Sequence, residues 1–117
     1  MNTDPIPHLL IDGFGCTGPL DDLEHIGAAM RAGAEAVDAT IMGAAECRYV
    51  PHGVTAVLFL AESHILVSTW PEHQTALVDV LLCNSTMDAE VVADTILEAL
   101  GAACSEIRQV SRQLVDG

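Results

Sequence analysis

Apolar residues recur along this chain with two different periods, and the change from one to the other marks its elements. Leu23, Ile26, Met30, Ala34 and Val37 lie three or four apart, the spacing of one helix face, and predict a helix over Leu20–Val37. Asp21, Asp22 and Glu24 gather at its start, where the helix dipole favours negative charge. A second helix is expected over Ala89–Leu100, with Asp88 as its N-cap and Gly101 as its stop. The remaining apolar segments are short and read as strands: His8–Asp12, Thr40–Val50, Val54–Ala61, Ile65–Thr69, Ala76–Cys83 and Ala103–Val110. Gly13-Phe14-Gly15, Pro51-His52-Gly53, Trp70-Pro71-Glu72 and Asn84-Ser85-Thr86 supply the breaks. The order is β-α-β-β-β-β-α-β. Short turns between successive strands imply antiparallel pairing, and both helices must cover a sheet face. The expected fold is therefore α+β: a two-layer α/β sandwich with a mainly antiparallel sheet and two helices on one face. Strand, helix and strands occur in that order about twice, which suggests a duplicated βαββ-like unit.

Composition narrows the possibilities. A chain of 117 residues makes a single domain over 1–117. Half of it is hydrophobic but only four residues are Phe, Trp or Tyr, so the core must be aliphatic. A small domain with this much apolar surface commonly buries some of it against another copy, so a homo-oligomer is expected. Seventeen acids against four arginines leave a net charge of −13, which argues against nucleic acid or an anionic membrane as partner and suits a cationic ligand. Lysine is absent from the sequence, so no lysine-bound pyridoxal phosphate is possible. Cys16, Cys47, Cys83 and Cys104 are widely spaced, and His8, His25, His52 and His73 show no ligand spacing, so no metal is assigned. Free thiols, a polar opening and apolar runs far short of a membrane span point to a cytoplasmic protein.

Candidate chemistry concentrates in Ala61–Asn84. A strand, the Trp70-Pro71-Glu72 turn and a returning strand bring Ser63 and Cys83 towards the same end of a sheet. Serine is a nucleophile only when a neighbour takes its proton. Glu62-Ser63-His64 could supply that, or be a loop serine bonded to its own backbone. Cys83 reads either as a reactive thiol or as a small buried hydrophobe. Trp70 and Glu72 read as a binding wall or as a turn with a core tryptophan.

The same residues carry a specific likeness. Glu62-Ser63-His64-Ile65, Thr69-Trp70-Pro71-Glu72, Val78-Asp79-Val80 and Cys83, in ungapped succession, resemble the prokaryotic S-adenosylmethionine decarboxylase proenzymes. The resemblance extends to His8-Leu9-Leu10, Ala39-Thr40-Ile41 and Arg48 through Val54, over most of residues 8–113. It implies self-cleavage between Glu62 and Ser63, by an N-to-O acyl shift and then β-elimination, leaving a pyruvoyl group derived from Ser63. That group would be the electron sink for decarboxylating S-adenosylmethionine or a related amino acid, in the polyamine-type supply of aminopropyl groups. It implies Cys83 as the acid that reprotonates the substrate carbon, Tyr49 (where the family tends to have Phe) stacking the adenine, Ile65 and Trp70 lining the site, and Glu72 on the ribose. It also implies a homodimer. Two positions depart from the pattern: Ser68 stands where the family has the histidine that moves a proton during processing, and Thr55 stands where it has serine. Serine cannot serve as a base near neutral pH. The alternative is an unprocessed homologue that binds S-adenosylmethionine without decarboxylating it; a third reading is an acidic interaction domain that docks a basic partner.

Overall fold

The computed structural model describes residues 5–83 and 86–114. The elements are β1 (Ile6–Phe14), α1 (Leu23–Ala36), β2 (Ile41–Arg48), β3 (Val54–Leu60), β4 (Ser63–Trp70), one 3-10 turn (Pro71–His73), β5 (Thr75–Leu81), α2 (Ala89–Ala99) and β6 (Cys104–Arg112). Number, type and order match the hydrophobic pattern. Of the expected Asn84-Ser85-Thr86 loop, Asn84 and Ser85 lie outside the described residues.

Several boundaries shift by one to three residues, two of them for clear local reasons. The first helix starts at Leu23 rather than Leu20, because Asp22 takes the N-cap position and its carboxylate accepts the backbone N–H of His25 at 3.1 Å. The fourth strand starts two residues earlier than expected, at Ser63. Leu60 and Ser63 are paired across a two-residue connection, Ala61-Glu62, so the hairpin between β3 and β4 turns immediately after the last apolar residue. The second helix is as expected: Asp88 accepts from the N–H of Glu90, and Gly101 follows the C-terminus with φ +66°.

The six strands form one sheet in the order β2-β3-β4-β5-β1-β6, with every neighbouring pair antiparallel. The connection β1-α1-β2 passes over three intervening strands and β5-α2-β6 passes over one. β1 and β5 are adjacent central strands, and each launches a helix that leads to an edge strand. The second pass has a single strand after its helix, so the duplication is partial.

Strand alternation settles which face each residue takes. Leu9, Ile11, Val54, Ala56, Leu58, Ile65, Val67, Val78 and Val80 are buried under Ile26, Met30, Ala34, Val92, Ile96 and Leu100 of the helical side. This core is aliphatic, as composition required, and contains no aromatic ring. Among the described residues the opposite face carries no helix. It presents His8, Leu10 and Asp12 of β1, Thr55, Val57 and Phe59 of β3, His64, Leu66 and Ser68 of β4, and Leu77, Asp79 and Leu81 of β5. Among the described residues no helix is long and apolar enough to cross a membrane.

Candidate active site

The Glu62–Ser63 peptide lies at the tip of the β3–β4 hairpin, where the two-residue connection leaves Glu62 exposed and Ser63 half-buried. The adjacent strand β5 runs antiparallel to β4 with Leu81 opposite His64, so the chain following β5 comes up beside the tip. There the Cys83 thiol donates to the carbonyl oxygen of Ala61, at 3.5 Å. Ser63 and Cys83 thus lie at the same end of the sheet. Glu62, Ser63 and His64 line a cleft of about 500 Å³ with Val57, Phe59, Leu66 and Leu81.

A second cluster occupies the other end of the same strands. Tyr49, His52, Thr55, Ser68, Trp70 and Glu72 surround a cleft of about 400 Å³. Thr55 and Ser68 are opposite one another on β3 and β4, their hydroxyl oxygens 3.0 Å apart, and the Tyr49 hydroxyl donates to Thr55 Oγ1 at 3.1 Å. Trp70 is 41% exposed, which makes it a wall residue and not a core tryptophan. The Glu72 carboxyl is held below its usual range, first by its own backbone N–H and then by His52 and His73. His52 Nε2 lies 3.1 Å from Glu72 Oε2, an ion pair by distance, but it is a buried nitrogen without a well-aligned hydrogen bond. The turn that carries His52 is anchored by Gly53, whose N–H donates to Asp21 Oδ1 at 2.8 Å and whose φ of +100° few other residues adopt.

Two expectations need correction. The resemblance placed Ser63, Cys83, Ser68, Thr55, Tyr49, Trp70 and Glu72 in one site, but a single chain divides them. Five residues of extended strand separate Ser63 from Ser68, roughly 16 Å at the rise of a β-strand. Ile65, expected to line the substrate site, is fully buried on the helical side. Period-two alternation turns its side chain away from the open face that carries His64 and Ser68.

Comparison with known proteins then bears on these two clusters. The family model described as S-adenosylmethionine decarboxylase matches residues 7–113. The chain belongs to the S-adenosylmethionine decarboxylase family. It is 33% identical over 110 residues to an S-adenosylmethionine decarboxylase proenzyme of Clostridium botulinum, covering 93% of this chain and 95% of that protein. To the proenzyme of Thermodesulfovibrio yellowstonii it is 34% identical over 109 residues, covering 92% and 81%. The crystal structure of the adenosylmethionine decarboxylase from Aquifex aeolicus superposes with a TM-score of 0.87 at 28% identity, covering 98% of this chain and 96% of that one. The curated relatives are carboxy-lyases by name, and the sandwich fold is that of the solved family member.

One constellation escaped the spacing of histidines along the sequence. His8 and His64 both reach Asp79 on the open face: His8 Nε2 is 2.6 Å and His64 Nε2 3.0 Å from the same oxygen, Oδ1. The rings meet edge to face with centroids 6.1 Å apart. Arg112 Nη1 is 3.2 Å from His8 Nδ1. His8 and Asp79 are 71 residues apart in sequence, and only the pairing of β1 with β5 brings them together. The alternation of His8, Leu10 and Asp12 along β1 carried a signal of polar residues on one face, but no hint of their partners.

Proposed function

We propose that this chain is a self-processing S-adenosylmethionine decarboxylase, which cuts itself between Glu62 and Ser63 and carries a pyruvoyl group derived from Ser63. The observation that carries the reading is the hairpin tip: a serine that directly follows a two-residue connection and lines a cleft, with a thiol from the segment after β5 bonded to the carbonyl of Ala61, two residues before that serine. A lysine-free family member needs its electrophile from another residue, and a pyruvoyl group supplies the carbonyl electron sink that decarboxylation requires. Cys83 would return a proton to the substrate carbon. Ser68 and Thr55 form a hydroxyl pair where the family pattern has imidazole and hydroxyl.

The division of the site points to a homodimer. The open face carries Phe59, Leu77 and Val110, which are 47%, 38% and 40% exposed. Such a surface suits a second copy of the same sheet. A two-fold axis lying between the sheets and running across the strands would reverse strand direction in the partner. The Ser63 end of β4 would then face the partner's Ser68 end, joining the two clefts. In the joined site Tyr49 and Trp70 would offer aromatic faces to the adenine and the sulfonium, and the ionised Glu72 would accept hydrogen bonds from the ribose hydroxyls. The net charge of −13 favours capture of this cation. Such an enzyme acts on a small metabolite in the cytoplasm, without nucleic acid or membrane.

Intact mass spectrometry of freshly expressed and long-incubated protein tests the reading. Two fragments are expected, with the C-terminal one lighter by one ammonia than a serine-initiated peptide. Labelled carbon dioxide should be released from carboxyl-labelled S-adenosylmethionine. A single full-length mass after prolonged incubation would overturn self-cleavage and leave the unprocessed binding protein.

A further inference from the structure

β6 is an edge strand open along its whole length. It pairs with β1 over all nine residues from Cys104 to Arg112, and among the described residues nothing pairs with its outer side. Such an edge is a template for another strand, and proteins spoil it with proline, lysine, a bulge or a short run. β6 has none of these: it contains no proline, the chain has no lysine, and the register with β1 is unbroken. The opposite edge, β2, is spoiled, because its register with β3 shifts between Ile41 and Gly43. On a molecule of net charge −13, β6 is also where a second copy meets little repulsion, since it carries two of the four arginines and one acid.

Alternation decides how two copies of this strand can pair. The register with β1 puts Glu106, Arg108, Val110 and Arg112 on the open face, and Ser105, Ile107 and Gln109 on the helical face. A two-fold axis perpendicular to the sheet leaves every residue on its own face, so it must pass through a residue and not between two. Through Glu106 or Arg108 it sets like charges against each other, and through Val110 it sets Arg108 against the partner's Arg112. Through Gln109 it sets Ile107 against the partner's Ser111 and Arg108 against the partner's Val110. Through Ile107 the pairings are all compatible. Ile107, 43% exposed, meets its own copy, and the 40% exposed Val110 meets the partner's Cys104. Ser105 meets the partner's Gln109, and Glu106 meets the partner's Arg108 in both directions. Arg108 already bonds Asp12 at 3.1 Å and Glu106 at 3.3 Å within its own chain, so acids and bases would alternate across the seam.

We propose that β6 is an interface between copies of this chain, pairing antiparallel with the partner's β6 about an axis through Ile107 and joining the two sheets into one. Main-chain hydrogen bonds hold such a seam, and the charges select its register. This surface is separate from the open face of the proposed homodimer, and neither contact needs the other. Midway between Ser63 and Ser68, where the face-to-face axis would lie, the row of paired residues runs Leu66, Asp79, Leu10 and Arg108, beside Ile107. The two axes are perpendicular and pass close together, so both contacts used at once close four chains into a tetramer.

Sedimentation equilibrium of the whole chain tests this, in wild type, Glu106→Arg, the exchange Glu106→Arg with Arg108→Glu, Ile107→Asp and Phe59→Glu. Glu106→Arg lines up like charges across the seam and should halve the mass of the assembly. The double exchange restores opposite charges in this register and should recover the full mass. With an axis through Gln109 it would not, because a basic group at position 106 would still face the partner's Arg112. Ile107→Asp, at an exposed position, should also halve the mass. Thermal melts identify a variant that fails to fold, in which case the folded one of Glu106→Arg and Ile107→Asp decides. A monomeric wild type overturns the edge interface. So does an assembly halved by Phe59→Glu and by neither edge variant, although the face-to-face dimer then stands. Halving by the edge variants with no effect of Phe59→Glu would support the edge interface and sink the face-to-face dimer. Failure of the double exchange to recover the mass overturns the axis through Ile107.

Discussion

The hydroxyl oxygens of Thr55 and Ser68 lie 3.0 Å apart across β3 and β4, and the Tyr49 hydroxyl extends the chain by donating to Thr55. Three hydroxyls in series hold their place without offering a base near neutral pH. Ser68→His puts an imidazole where the motif resemblance places one, on a half-buried open-face site whose cross-strand neighbour is a small Thr. Self-cleavage should speed up, by up to roughly 10²-fold if proton transfer limits it. Pulse expression followed by mass spectrometry reads this directly. An unchanged rate would show that residue 68 is not where processing is limited.

Cys83 donates to the Ala61 carbonyl at 3.5 Å, which holds its sulfur at the hairpin tip without burying it. Its proposed task comes after cleavage, so Cys83→Ser should separate the two activities. Cleavage should proceed, while decarboxylation falls by about 10²-fold or more through loss of the acid. Loss of cleavage and turnover in equal measure would instead place the thiol in processing.

If two chains share each site, two crippled chains can make one good site. Ser63→Ala retains the wall cluster and Glu72→Gln retains the hairpin tip. Each alone should fail to turn over S-adenosylmethionine, yet co-expression of the two should recover part of the activity through mixed dimers. Phe59→Glu, on the same open face, should shift sedimentation towards monomer. A site complete within one chain would show no recovery on mixing.

Burial holds the Cys16 thiol above its ordinary range, and the side chain is only 3% exposed. The sign of the linkage follows. Below the unfolded thiol value, about 8.5, both states are protonated and the contribution is complete. As pH rises past it the unfolded chain ionises first, and stability falls until the folded-state value is reached. Iodoacetamide at neutral pH should therefore modify the exposed Cys47 and Cys104 well before Cys16, with sites assigned by peptide mapping. Early modification of Cys16 would show that its pocket opens locally.

The parts of the fold that local pattern encodes were legible, and those that depend on partners were not. Leu23, Ile26 and Met30 announce a helix by spacing, and Asp88 and Gly101 bracket another by capping chemistry. The hairpin tip at Ala61-Glu62 was legible less sharply, since nothing in Glu62-Ser63-His64 says that pairing resumes at once. What spacing could not convey is separation: Ser63 and Ser68 look close in sequence, yet an extended strand holds them apart where a helix would have kept them near. The reverse holds for His8 and Asp79, which no local pattern connects and one strand pair brings to hydrogen-bonding distance. Ile65 shows the same physics in miniature, because a family motif names residues in a row while a strand sends alternate ones to opposite faces.

Thr69 is the one buried polar residue among the described residues, and it ties three segments together. Its hydroxyl donates to the Leu20 carbonyl at 2.7 Å and accepts the Val54 N–H at 3.0 Å, linking β4, the start of β3 and the segment that leads into α1. Valine has nearly the same shape but neither capacity, so Thr69→Val would leave a buried carbonyl and a buried N–H unsatisfied, at about 1–3 kcal/mol each. Thr69→Ser keeps both bonds and loses one methyl, about 0.8 kcal/mol. Thermal or urea denaturation should therefore rank wild type above Thr69→Ser and place Thr69→Val lowest. The effect should reach the site as well, because Trp70 and Glu72 follow Thr69 directly and Thr55 follows Val54. Loosening at this point should weaken substrate binding more than it slows cleavage at the distant hairpin tip. Equal stability of the valine and serine variants would mean that the hydroxyl fills space but does not tie the segments.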